Sequence, residues 1–252
     1  MIEANTLKGY LHNYLQCELY VDYAPNGLQV QGKSEIARIC TAVTASDAVI
    51  SEALSWGADA LLVHHGYFWK GEDPVITGMK RQRLAKLLSN DINLFAYHLP
   101  LDCHIQLGNN ACLGTLFKVD SVRMHKVNRV DNLLWSGMLA KPLSAEQFGV
   151  FLETQLGRKP LHISGHNKPI HHIAWCSGGA QDFIVEAHQL GVDAFISGEV
   201  SERTYYQAKE LGIDYYSCGH HATERYGIQA LGNHLSQLYQ LDHKFLDSAN
   251  PV

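Results

Sequence analysis

The segment Glu52-Ala53-x3-Gly57-Ala58-Asp59-Ala60 recurs as Glu186-Ala187-x3-Gly191-Val192-Asp193-Ala194, and each copy runs into a short apolar stretch. A glycine that stops a helix, followed by a few residues and an apolar run, marks the joint between a helix and a buried strand. Finding that joint twice constrains the fold more than any other feature of the chain. It predicts a duplicated β-α-β unit, hence an α/β protein with a mostly parallel sheet and helices packed against it.

The rest of the chain fits this frame. Residues 39–44 and 59–63 read as buried strands around a helix at 46–56, which carries Val49, Ile50, Ala53 and Leu54 on one face. A helix at 79–90 and a strand at 92–97 follow. In the second copy, strands are expected at 170–176, 194–197 and 213–217, with helices to 190, from 201 and from 223. Between the copies, residues 119–143 alternate in short segments that suggest antiparallel strands. Ser144-x-x-Gln147 is a capping box, opening a helix that Gly157 closes. Near the start, Leu7, Leu11 and Leu15 have helical spacing, and Asp22-Tyr23-Ala24-Pro25-Asn26-Gly27 is dense turn chemistry. With 252 residues the chain can bury one large core or two smaller ones. The repeat divides it into 1–118 and 119–252.

In such sheets, ligands gather at the C-terminal ends of the strands. Three histidine-bearing clusters fall there: His64-His65, His98-x3-Asp102 and His220-x3-Glu224. Successive strand side chains point to opposite faces. His64 and His65 can therefore share one ion only if the backbone leaves extended geometry, or else serve two neighbouring ions. Taken singly, each cluster has a plain explanation: a histidine pair at a loop start, a core His98 with a turn Asp102, a helix-end charge at Glu224. Together they make four imidazoles and two carboxylates, a donor set suited to Zn, Mn or Fe and poorly suited to Ca or Mg. Six donors exceed one tetrahedral site. They suit two divalent ions roughly 3.5–4 Å apart, with Glu224 as the bridging carboxylate.

A pair of such ions activates water for hydrolysis of a phosphoester, amide or ring C–N bond. Catalysis then belongs to the water activated by the metals, with Glu224 as the side chain that could assist. No G-x-S-x-G motif competes with this reading, and the six cysteines have neither a C-x-x-C spacing nor a nucleophile context. Ser177-Gly178-Gly179-Ala180 could cradle a phosphate or simply turn the chain. Residues 67–70 (Tyr-Phe-Trp-Lys) could line the site or pack an interface, and packing is the reading preferred here. Glu199, which matches His65 in the repeat, is a candidate to support a ligand from behind. A net charge of −5 and the absence of long Lys/Arg runs argue against nucleic acid as a partner. No apolar run is long enough for a membrane span, so a soluble cytoplasmic protein is expected.

Five stretches carry a resemblance: Asp22-Tyr-Ala-Pro-Asn-Gly-Leu-Gln-Val-Gln-Gly32, His64-His-Gly-Tyr-Phe-Trp-Lys-Gly71, His98-Leu-Pro-Leu-Asp102, Gly108-Asn109-Asn110 and Gly219-His-His-Ala-Thr-Glu224. In this order they closely resemble the GTP cyclohydrolase I type 2 homologue family, also called the NGG-one-interacting-factor-three-like proteins. The match is closest to the short bacterial members. The resemblance implies two intertwined α/β repeats with mixed, mostly parallel sheets and a dinuclear metal site between them, in a ring-shaped homohexamer. It places metal ligands at His64, His65, Asp102, His220 and Glu224. His98 would bind either directly or from behind a ligand, and His221 would not bind. The activity it implies is metal-dependent hydrolysis of a nucleotide-like or cyclic small molecule. The alternative is a non-enzymatic metal-binding or partner-binding protein: a sensor, carrier or chaperone.

Overall fold

Ser46 and Gly57 show how locally the elements are specified. The Ser46 hydroxyl accepts the Val49 N–H at 3.3 Å, and Gly57 ends the same helix at φ 77°, where a side chain would be strained. The computed structural model describes residues 1–252. In chain order the first elements are β1 (Ile2–Glu3), α1 (Ala4–Tyr14), β2 (Gly27–Val30), β3 (Glu35–Ile36), β4 (Arg38–Thr44) and α2 (Asp47–Trp56). Next come β5 (Ala60–His65), α3 (Gly78–Ser89), β6 (Asn93–Ala96), α4 (Leu99–Asp102), α5 (Asn109–Leu116), β7 (Asp120–Val127) and β8 (Val130–Leu143). The rest are α6 (Ala145–Leu156), β9 (Leu161–Ile163), β10 (Ile170–Trp175), α7 (Ile184–Gln189), β11 (Ala194–Ser197), α8 (Glu202–Leu211), β12 (Asp214–Ser217), α9 (His220–Tyr239) and β13 (Asp242–Phe245).

The chain builds two units. The first takes Met1–Leu101 and Gly227–Ala249, and the second takes Asp102–Tyr226 and Asn250–Val252. In the first, a five-stranded sheet has the order β13-β4-β5-β6-β2. All its neighbours are parallel except β2, which runs antiparallel to β6. Its core joins Val49, Ile50 and Ala53 of α2 to Leu61, Val63 and Leu94 of the sheet. In the second, a six-stranded sheet has the order β7-β8-β10-β11-β12-β9. Its central β10-β11-β12 is parallel and its flanks are antiparallel. Phe148 and Leu152 of α6 and Phe117 beyond α5 pack there on Trp175 and Ile196. The protein is thus α/β with mixed, largely parallel sheets, as the alternation of elements predicts.

The repeat is visible in single hydrogen bonds. Asp59 Oδ2 accepts the N–H groups of Ala37 and Arg38, both at 3.0 Å. Asp193 Oδ2 accepts those of His171 and His172 at 2.9 and 2.8 Å. Each aspartate ties the start of one strand to the loop before its neighbour, two residues after a glycine at φ 77° or 68°. Burial opposes the charge on Asp59, but Lys33 and the two N–H groups outweigh it and hold the carboxyl below its usual range.

The cut at 118/119 follows the repeat, whereas packing takes another path. Residues 102–118 fold in the second unit, where the Phe117 and Trp175 rings meet edge to face at 6.1 Å. Residues 227–249 return to the first, where β13 extends the sheet beside β4. Two further differences from expectation affect the site. The strand β5 continues through both His64 and His65, because His65 still pairs with Thr44 of β4. Helix α9 starts at His220, three residues before the expected Thr223.

Candidate metal centre

Two sets of donors are present, one built by each unit. In the first unit, His64 and His65 end β5 and His98 follows β6. The extended backbone does not separate the adjacent pair: their ring centroids are 4.6 Å apart, and those of His64 and His98 5.1 Å. One ligand atom from each of the three lies within 4.8 Å of the others. His64 is 1% exposed, and its Nδ1 donates to the Tyr97 carbonyl at 2.9 Å. A carbonyl can only accept, so the neutral ring carries its proton on Nδ1 and its lone pair on Nε2. His65 engages Nδ1 with Thr44 Oγ1 at 3.2 Å.

His98 is held more elaborately. Its Nδ1 donates to Asp22 Oδ1 at 2.7 Å, and its backbone N–H donates to Asn26 Oδ1 at 2.7 Å. Asp22 Oδ2 in turn accepts from Asn26 Nδ2 and from the Leu99 N–H, both at 2.9 Å. Burial works against the Asp22 charge, yet His98, Asn26 and Leu99 together keep its pKa below the ordinary value. The turn at 22–27 is therefore a brace for His98. Sequence reasoning took Asp22 and Asn26 only as turn residues. Their signal was their place in a recurring motif, since the bond joins residues 76 positions apart. Of the aromatic residues at 67–69, Tyr67 is core, with its hydroxyl on the Ala45 carbonyl at 2.7 Å. Trp69 stands edge-on to the His98 ring at 5.0 Å.

In the second unit, Asp102 ends the single turn α4, while His220 and Glu224 stand one turn apart at the start of α9. Asp102 Oδ1 accepts from Asn109 Nδ2 at 2.8 Å and from Ser177 Oγ at 2.9 Å. From sequence, Asn109 stood only within the Gly108-Asn109-Asn110 motif and Ser177 only in a glycine-rich turn that could cradle a phosphate, neither as a support for Asp102. Carboxylate oxygens of Asp102 and Glu224 lie within 4.8 Å of each other. His220 Nε2 is 3.1 Å from Glu224 Oε1, and its Nδ1 is 2.6 Å from Glu199 Oε1. Glu199 therefore supports His220 from behind. Burial by itself would lower the His220 pKa, but its bonds and charges with Glu224 and then Glu199 raise it to about 9. The ring is thereby held protonated at neutral pH, so an ion bound there would have to displace a proton.

Glycines clear the space around these donors. A Cβ on Gly178 would fall 2.2 Å from Glu224 Oε1 and 3.1 Å from His220 Nε2. One on Gly198 would fall 2.7 Å from the His220 Cα. The structure also corrects the phase of the repeat. Tyr97 N–H donates to the Val63 carbonyl, and Cys218 N–H to that of Ser197. His98 therefore corresponds to Gly219, and the His-x3-acid spacing recurs one residue out of step. His171 and His172 belong to neither set.

Removing a brace should weaken metal binding without emptying the site. Asp22→Asn and Glu199→Gln should each lower zinc affinity roughly 10- to 100-fold, measured by competition with a chromogenic chelator. Unchanged affinity in both would show that these carboxylates do not orient ligands.

Residues 2–251 match the family model Duf34/NIF3 (NGG1p interacting factor 3). The chain belongs to this family. Among its relatives, a protein of Yersinia pestis named GTP cyclohydrolase 1 type 2 homolog is 51% identical over 248 residues, covering 98% of each chain. A solved structure described as "Structural genomics, protein ybgI, unknown function" superposes with a TM-score of 0.95 at 48% identity over the whole of both chains. TTHA1606 from Thermus thermophilus is similar over the whole of both chains, with a TM-score of 0.90 and 30% identity. The family resemblance in the five motifs thus holds for the entire chain. No helix is long and apolar enough to cross a membrane.

Proposed function

We propose that His64, His65, His98, Asp102, His220 and Glu224 together hold two divalent ions and that the protein is a hydrolase. The observation that carries this reading is the common state of the four imidazoles. Each has Nδ1 engaged by the protein, through Tyr97, Thr44, Asp22 and Glu199 respectively. Metal-binding histidines typically have one ring nitrogen held in this way, leaving the other to the ion. The donors fit such ions: nitrogen and carboxylate oxygen suit Zn, Mn or Fe, and glycine at 178 leaves room beside Glu224 and His220. Six donors exceed what one tetrahedral ion takes, which supports two neighbouring ions rather than one.

When bound, two such ions lower the pKa of water and stabilise a developing oxyanion. The protein's own part is orientation. Asp22, Tyr97 and Glu199 hold protons on Nδ1, Asn109 and Ser177 aim Asp102, and Glu224 would hold the ions beside His220 and Asp102. The substrate class, a nucleotide-like or cyclic small molecule, rests on the names of the relatives. A cytoplasmic homohexameric ring is part of the same proposal, checked by light scattering and fractionation. The functional test is a panel of nucleotides, phosphoesters and cyclic amides with metal-loaded protein. Turnover should fall about a hundredfold or more in His64→Ala and Glu224→Gln, because several kcal/mol of metal-supplied stabilisation are lost. No turnover by any loaded form, with coordination saturated by protein donors, would replace the hydrolase by a metal carrier or sensor.

A further inference from the structure

A cavity with both polar and apolar lining lies in the second unit, on a sheet face that takes no part in the donor sets. Helices α7 and α8 cover that face over β11 and β12, and α7 ends just before Leu190. Beyond it, Ser121, Arg123 and His125 of β7, Ser136 and Met138 of β8 and His172 of β10 enclose about 240 Å³. The pleat puts them together: Arg123 lies opposite Ser136, and Met138 opposite His172. A bulge contributes as well. Ser121 and Val122 of β7 lie opposite the single Gly137 of β8 between the pairs Asp120–Met138 and Arg123–Ser136, and Ser121 sits there at φ 54°. Bulges of this kind re-aim a side chain.

The lining is one-sided in charge. It has a guanidinium, two imidazoles and two hydroxyls, with no carboxylate among them. The Ser136 hydroxyl is 2% exposed and lies 2.8 Å from His125 Nε2. The flanking acids are Asp120, opposite Met138, and Asp193, whose Oδ2 accepts the His172 N–H at 2.8 Å, and neither lines the cavity. His125 is harder to protonate than an ordinary histidine, first through burial and then through the positive charges of Arg123 and His172. A guanidinium among neutral donors, with no counter-charge in the lining, is matched by an oxyanion, which guanidinium binds with charge-assisted, paired hydrogen bonds. Met138 and Leu190 add an apolar wall that a bare phosphate would leave unused.

We propose that this cavity is a binding site for a small phosphate monoester, with the phosphoryl group on Arg123, His125 and Ser121 and a body of a few carbons against Met138 and Leu190. The site is independent of the metals. The test is calorimetric titration of the full chain, treated with chelator, with inorganic phosphate and with glycerol phosphate. Binding should saturate at one site per chain and weaken about tenfold or more in Arg123→Ala, less in Arg123→Lys. Glu224→Gln should leave it unchanged. Tighter binding of the ester assigns the site to monoesters, and equal affinity assigns it to free phosphate. The proposal is overturned if neither anion saturates, if Arg123→Ala binds as well as the wild type, or if Glu224→Gln abolishes binding. Failure of the hydrolase reading would alter none of these results.

Discussion

Gly178→Ala should leave the chain folded and deprive it of metal. The added Cβ would fall 2.2 Å from Glu224 Oε1, 3.2 Å from its Cδ and 3.1 Å from His220 Nε2. All three atoms belong to the ends of side chains that can swing away, so the conflict is relieved by displacing two donors and not by moving backbone. A φ of +65° at Gly178 adds roughly 1–2 kcal/mol of strain for alanine. The expected result is a modest fall in melting temperature with zinc content reduced to about a tenth or less of wild type, since both donors of one helix turn are moved. The neighbouring Gly179→Ala is the control. Its Cβ would lie 3.6 Å from the Glu199 Cδ, an ordinary contact. Elemental analysis of the two proteins purified in parallel decides the matter. Full metal content in Gly178→Ala would remove Glu224 and His220 from the centre.

Gly165→Ala and Gly32→Ala should do the reverse, damaging the fold with no donor nearby. At Gly165 a Cβ would fall 2.2 Å from the Ile213 carbonyl oxygen and 2.5 Å from its carbon and nitrogen. At Gly32 the corresponding distances to Asp91 and Ile92 are 2.3 and 2.5 Å. These are backbone atoms just before β12 and β6, so relief requires moving the start of a central strand. Overpacking against rigid neighbours of this kind costs on the order of 2–4 kcal/mol. Gly9→Ala, with nothing within 4 Å and inside α1, should instead stabilise by roughly 0.5–1 kcal/mol. Urea unfolding separates the cases. A change below about 0.5 kcal/mol in Gly165→Ala would mean that the loop before β12 yields freely.

These two glycines are a further mark of duplication, one that the primary structure does not display. The polar side chains beside them differ: Asn93 accepts the Gly32 N–H at 2.9 Å, whereas Asp214 accepts that of Gly165 at 2.7 Å. Helix ends were more legible. Gly57 and the Ser144–Gln147 capping box act within one turn of themselves, and the structure has both as expected. The strands β2 and β13 were not legible. One is four residues emerging from a turn-rich segment, and the other reads Asp-His-Lys-Phe with no apolar alternation. Each is a strand because a neighbour offers it a ladder, and that neighbour is distant in sequence.

The same contrast runs through the site. Short-range pattern alone sufficed for the α/β class, the doubled unit, the family and the choice of six candidate donors, because a helix stop, a strand and a motif spacing are all encoded within a few residues. It could not supply the tautomer of His98, the aim of Asp102 or the phase slip between His98 and His220. Those depend on Asp22, Ser177 and the backbone ladder, which reach the donors only after the chain has folded back on itself. Bonds between residues 76 or 75 positions apart leave no periodicity to read, and packing alone decides which partners meet.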